Sequence, residues 1–174
     1  MNPSSDPLVL LAQHTIASFV RTRALPEVPE LSGVADLPAR AGCFVSIHTA
    51  PGGELRGCIG TIGPTEPSLA EEVIRNAISA ATQDPRFPAI TPDELDDLDV
   101  SVDVLFEPEP ATRADLDPAA FGVIVTQGQR RGLLLPDLEG VDTVREQLRI
   151  ACLKAGIDPA SSYAIERFRV VRHV

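Results

Sequence analysis

The chain has 174 residues, 44% hydrophobic and 4% aromatic, with no tryptophan and a formal net charge of −10. That length suits one ordinary domain, or two small lobes sharing a core, with Leu, Ile, Val and Ala able to fill an interior without covalent staples. The charge argues against a nonspecific nucleic-acid binder, because phosphate backbones are held by Lys and Arg, and few rings are present to stack bases; a small anionic ligand held by a local arginine stays open.

Cys43, Cys58 and Cys152 are an odd, sparse set without CxxC spacing. They make a poor disulfide framework and no structural zinc site. Cys58 with His48 supplies too few ligands for a metal, and no motif calls for a cofactor. No apolar run is long enough to cross a membrane, and Met1 to Asp6 lacks the basic start of a signal peptide. The expectation is a reduced, soluble, cytoplasmic protein.

Leu8 to Val20 has apolar residues at helical spacing. Residues 25–41, with Pro26, Pro29 and Pro38, read as an irregular connector. Cys43 to Ala50 and Glu54 to Ile62 read as two arms of a hairpin around Pro51-Gly52-Gly53. Pro67 to Ala81 is a helix opened by a Ser68/Glu71 capping box, and it stops before Asp84-Pro85-Arg86-Phe87-Pro88. A second capping box at Thr91 and Glu94 starts a short helix.

Asp99 to Phe106 alternates, with Val100, Val102, Val104 and Phe106 on one face and Ser101 and Asp103 on the other. The Glu107 to Pro110 connector marks a lobe boundary near 107–110 within one domain spanning 1–174. Gly122 to Thr126 and Arg131 to Leu135 form a second hairpin around Gln127-Gly128-Gln129. Asp142 to Ala155 is a helix capped by Gly156, with Cys152 among Leu148 and Leu153, and Tyr163 to Val174 is a closing strand. Strands paired through hairpins predict an α+β fold, mainly antiparallel sheet flanked by helices.

The first hairpin carries the chemistry. Val45, Ile47, Leu55 and Ile59 occupy odd positions, while Ser46, His48, Arg56 and Cys58 occupy even ones. Side chains alternate across a strand, so the polar set shares a face. A three-residue loop places His48 opposite Arg56 and Ser46 opposite Cys58. His48 is then diagonal to Cys58, and Arg56 is the cation expected to favour a thiolate. Gly57 and Gly60 leave room for a ligand to approach the backbone.

Each residue also has a plainer reading. Cys58 can pack as a small hydrophobe, His48 can face solvent, and Arg56 can sit in a surface ion pair. Gly57 and Gly60 can mark a bulge. Asp84 and Arg86 either clamp a carboxylate or phosphate, or pair with each other in a loop that ends a helix.

The string Glu54-Leu-Arg-Gly-Cys-Ile-Gly60, followed by Asp84-Pro-Arg-Phe87, resembles the AMMECR domain, also called AmmeMemoRadiSam system protein A. The likeness runs from Leu10-Leu11-Ala12 through Phe44-Val-Ser-Ile47 and the Thr91 to Leu95 segment to Leu135-Pro136 and Leu153-Lys-Ala-Gly156. It implies a two-lobed α/β domain with a cleft beside the LRGCIG strand. It also implies partnership with a Memo-like protein and a radical S-adenosylmethionine protein, in a family of unsettled activity. The implied positions are Arg56, Gly57, Cys58, Ile59, Gly60, Asp84 and Arg86. Two departures stand out: Ser161-Ser162-Tyr163 replaces a Trp-containing stretch, and Gly132-Leu133-Leu134 replaces a Phe-containing one.

Three functions follow as expectations. The first is an enzyme or enzyme component acting on a small metabolite or modified group. Cys58 is its nucleophile or redox thiol, His48 its proton carrier, and Arg56 and Arg86 its anion anchors. The second is a binding or scaffold module for proteins of the same system. The third, weakest option is nucleic-acid binding through Arg167, Arg169 and Arg172.

Overall fold

The structure is a computed structural model that describes residues 4–31, 34, 36–51 and 53–174. Met1 to Pro3 of the N-terminal segment read as lacking a signal-peptide start, and the central Gly52 of the first turn, therefore lie outside the described residues, as do Ser32, Gly33 and Ala35 of the connector. Among the described residues, no helix is long and apolar enough to cross a membrane.

Helix α1 spans Pro7–Thr22. Asp6 caps it, its Oδ1 accepting from the N–H groups of Leu8 and Val9 at 2.9 and 3.2 Å, an arrangement worth about 1 kcal/mol. Strands β1 (Cys43–Thr49) and β2 (Leu55–Gly60) form the hairpin. Helix α2 runs Leu69–Thr82, and its Ser68 cap accepts from the Glu71 N–H as the sequence pattern requires. A 3-10 turn at Pro92–Asp97 carries the expected Thr91/Glu94 box and leads into β3 (Leu98–Leu105).

Strand β4 (Glu109–Pro110) is followed by a 3-10 turn at Arg113–Asp115. Strands β5 (Gly122–Gln127) and β6 (Arg130–Leu134) make the second hairpin. Helix α3 (Val144–Ala155) ends at Gly156 in the left-handed region, φ 65°, where a side chain would be strained. Strands β7 (Ala164–Phe168) and β8 (Val170–His173) close the chain.

Two compact units result: residues 1–104 with 171–174, and residues 105–170. In the first, the sheet order is β2-β1-β3-β8, with β1 antiparallel to both neighbours. Helix α2 packs on β1 and β2, and α1 on α2. Val45, Ile47, Val100, Val102 and Val104 are buried in one core with Leu8, Ile16, Val73 and Ala77. In the second unit the antiparallel order is β4-β7-β5-β6. Helix α3 covers β5 and β6 around Val123, Val125, Leu148 and Cys152. The fold is α+β with antiparallel sheets, as the hairpin pattern predicts.

Three local expectations change. The closing strand is two strands broken at Arg169, and they lie in different sheets. Asp103, expected on an open polar face, is buried because Arg172 meets its carboxylate at 2.8 Å; a buried charge needs such a partner. Leu153 is exposed rather than packed with Cys152.

Candidate functional site

Strand β2 is an edge of its sheet, and the chemistry gathers along that edge. Ser46 opposes Cys58, as the alternation predicts. The Cys58 N–H donates outward to Asp84 Oδ2 at 2.9 Å, and the Cys58 carbonyl accepts from Arg86 Nη2 at 3.2 Å. Both backbone groups thus face away from β1. Ser46 and Cys58 form a non-hydrogen-bonded pair, the geometry in which facing side chains come closest. The Ser46 hydroxyl accordingly donates to the Cys58 sulfur at 3.4 Å. On its other side Ser46 faces Ser101 of β3, and the next row along β1 pairs His48 with Asp99.

Cys58 is half-buried, whereas Cys43 and Cys152 are fully buried. Burial pushes the Cys43 thiol up to about 12. Those two cysteines pack as small hydrophobes, whereas Cys58 is only partly buried.

Asp84 is only 4% exposed. Its Oδ1 accepts from the backbone N–H and Nε of Arg86 at 3.0 and 2.9 Å, and its Oδ2 also takes Arg86 Nη2 at 2.7 Å. These bonds from Arg86 hold the Asp84 carboxyl well below the usual carboxylate range, with the Cys58 N–H adding to the effect. The Asp84 hydrogen bonds likewise hold the Arg86 guanidinium above its ordinary value, with the Cys58 thiol contributing a smaller share. The arginine side chain itself is 54% exposed. The acid is spent within the loop, and the arginine presents its outer edge beside the thiol.

Arg56 does something else. The strand register slips between Ile47 and His48, so His48 pairs with Leu55 and not with Arg56. Arg56 is the extra residue of a bulge, a feature that re-aims the side chain it carries. Its Nε and Nη2 reach the two oxygens of Glu94 at 2.8 and 3.2 Å, and its Nη1 donates to the Pro88 carbonyl at 2.8 Å. The expected cation beside Cys58 is therefore replaced by Arg86, while Arg56 ties β2 to residues 88–94.

The glycines also serve packing. A Cβ on Gly57 would run into the Ala80 carbonyl of α2, and one on Gly60 would strike the Phe44 ring. The space expected for a ligand at these two positions is filled by the protein. His48 lines a depression of about 690 Å³ with Gln13, Asp99 and Ser101. Among the described residues no group of three or more His, Cys, Asp or Glu converges as a metal site.

Sequence reasoning missed Glu94 as the partner of Arg56, and it placed Ser46 opposite Cys58 without giving its hydroxyl a role. The capping box had assigned Glu94 a local role, which it also fills: its Oε2 takes the Thr91 N–H at 2.9 Å. The proposed basic stripe is largely engaged too. Arg167 pairs with Glu109, Arg169 stacks on Phe106, and Arg172 holds Asp103.

An α+β chain whose edge strand carries a half-buried cysteine, framed by a buried aspartate and its arginine, is the class of protein these features define. The AMMECR1 family profile matches residues 9–173, and the chain belongs to the AMMECR1 family. A protein of Thermotoga maritima is 54% identical over 96% of this chain and 97% of its own. Protein CA_C1420 of Clostridium acetobutylicum is 52% identical over 97% of this chain, which spans only 36% of that relative's length. The crystal structure of the uncharacterized protein PH0010 from Pyrococcus horikoshii superposes with a TM-score of 0.84 at 33% identity, covering 95% of this chain and 88% of that one.

Proposed function

We propose that the chain is an enzyme, or the catalytic component of one, that engages a small anionic metabolite or modified group through Cys58. The observation that carries this reading is the half-buried sulfur set between the Ser46 hydroxyl and the exposed edge of Arg86. Arg86 anchors the anionic part of the substrate, taking the role first expected of Arg56. The S–H proton leaves toward His48, two residues from Ser46 on the same strand face. An S–C bond forms at an electrophilic carbonyl carbon, and the displaced electron pair settles on the carbonyl oxygen facing Arg86. Asp84 is a positioning residue that fixes the backbone of Cys58 and the fork of Arg86.

The resemblance to the AmmeMemoRadiSam system supports work alongside a Memo-like and a radical S-adenosylmethionine protein. A second reading, as a binding module for such partners, is favoured by the Clostridium relative, in which the matched region is about a third of a longer chain.

The test measures alkylation of Cys58 by iodoacetamide against a free model thiol, then intact mass after incubation with a deproteinised cell extract. The enzyme reading expects faster alkylation, a mass adduct lost in Cys58→Ala, and slower alkylation in Arg86→Ala. Alkylation no faster than the model thiol, with no adduct, overturns it. Retention of a partner protein by both the parent and Cys58→Ala would then favour the module.

A further inference from the structure

The second unit holds a cavity of about 400 Å³, within the range of small-ligand pockets. Three of the chain's fifteen basic residues, Arg113, Arg145 and Arg149, line it together with Tyr163, Leu148 and Asp158. A protein of net charge −10 would be expected to scatter its cations among its acids, so this grouping needs a reason.

One of the three guanidinium groups is paired with an acid, and two, among the described residues, are not salt-bridged. Arg113 donates from Nη2 to the Tyr163 hydroxyl at 3.0 Å, and its guanidinium lies 5.9 Å from the centre of that ring. This contact orients the arginine without neutralising it. Among the described residues, neither Arg113 nor Arg145 forms a salt bridge to a carboxylate, although Arg145 also attracts the Glu146 carboxylate electrostatically. Arg149 does pair with Glu146, through Nε and Nη2 at 2.9 and 2.6 Å, which leaves its Nη1 donors. Asp158 is the acid on the wall. Its Oδ1 is already taken by the Ala160 N–H at 2.9 Å, but its charge and that of Glu146 offset part of the positive field. Burial, and the buried Cys152 thiol next to it, push the Tyr163 hydroxyl above its ordinary range, so it remains a neutral donor at pH 7.

We propose that this cavity is a binding site for a small molecule bearing a phosphoryl group, separate from the Cys58 edge. A carboxylate offers two oxygens and is satisfied by one guanidinium fork. A phosphoryl group offers three terminal oxygens and up to two charges, which suits several forks meeting one wall. Leu148 gives the remainder of the ligand an apolar surface. Arg145 stands in the first turn of α3, where the helix dipole also favours an anion, and Arg149 follows one turn later.

The experiment titrates inorganic pyrophosphate, and citrate in parallel, into the intact chain by calorimetry at low salt, with Arg113→Ala, Arg145→Ala and Arg86→Ala variants. Thermal melts confirm that each variant folds; the substituted side chains are exposed. Pyrophosphate is expected to bind, with affinity falling at least about tenfold for Arg113→Ala and for Arg145→Ala, since each variant removes a charge-assisted hydrogen bond to the anion. A fall in affinity in Arg86→Ala with neither cavity variant affected would place the anion at Arg86 and overturn the proposal. No heat with pyrophosphate at millimolar concentration overturns the proposal. So does equal affinity in the parent and both cavity variants, or binding of citrate in preference to pyrophosphate.

Discussion

The buried carboxylate of Asp84 accepts the backbone N–H of Cys58 at 2.9 Å across 26 residues of sequence, and the same carboxylate grips Arg86, which returns to the Cys58 carbonyl. One acid thereby closes the open edge of β2 at the thiol. An exposed strand edge otherwise offers unpaired N–H and C=O groups to other chains.

Asp84→Ala is expected to lower stability by about 3 kcal/mol, because it strands a buried N–H and removes the acceptor of Arg86. Urea denaturation measures this, and a loss below about 1 kcal/mol would show that the loop holds without the acid. Asp84→Asn, which keeps one acceptor oxygen, should lose less.

Acid should unfold the protein through the same groups. Hydrogen bonds from Arg56, then Thr91, hold Glu94 down to about 2, and Asp84 is also held below its ordinary range. Burial raises Glu72, yet hydrogen bonds from Thr61, Glu66 and Thr65 outweigh it and leave the carboxyl lowered. Depressed carboxyl groups contribute stability that is present above their unfolded values near 4 and is lost as pH falls toward the folded ones. The urea midpoint should be flat from about pH 7 to 5 and fall steeply between about pH 4.5 and 2. Glu94→Gln should flatten part of that slope, and an unchanged slope would remove Glu94 from the account.

Thiol chemistry should be selective. Cys43 and Cys152 are sealed in the two cores, and they react only when the protein opens. Iodoacetamide under native conditions should therefore modify Cys58 at least ~100-fold faster than either, as peptide mass spectrometry will read. Comparable modification of all three would mean that the cores are loose or that Cys58 is covered.

Gly57→Ala should destabilise by about 2–3 kcal/mol, since its methyl meets the Ala80 backbone and forces α2 off the sheet. Serine at the same position should behave no better. A neutral alanine variant, measured by thermal melting, would show that α2 shifts freely.

Local pattern alone determined a good deal. The two-residue alternation of β1 put Val45 and Ile47 inward and paired Ser46 with Cys58. The Ser68/Glu71 and Thr91/Glu94 spacings started their helical segments where they begin. These signals are short-range: a cap bonds within three residues, and a pleat reverses at every one. The tertiary structure decided what lies beside the thiol. A bulge displaced Arg56 to Glu94, 38 residues away, and an acid buried under the same edge drew Arg86 into the vacant place. It also divided the last strand between two sheets and buried Asp103 against Arg172. Periodicity cannot encode such choices, because a buried charge is settled by whichever partner the folded chain brings within hydrogen-bond reach.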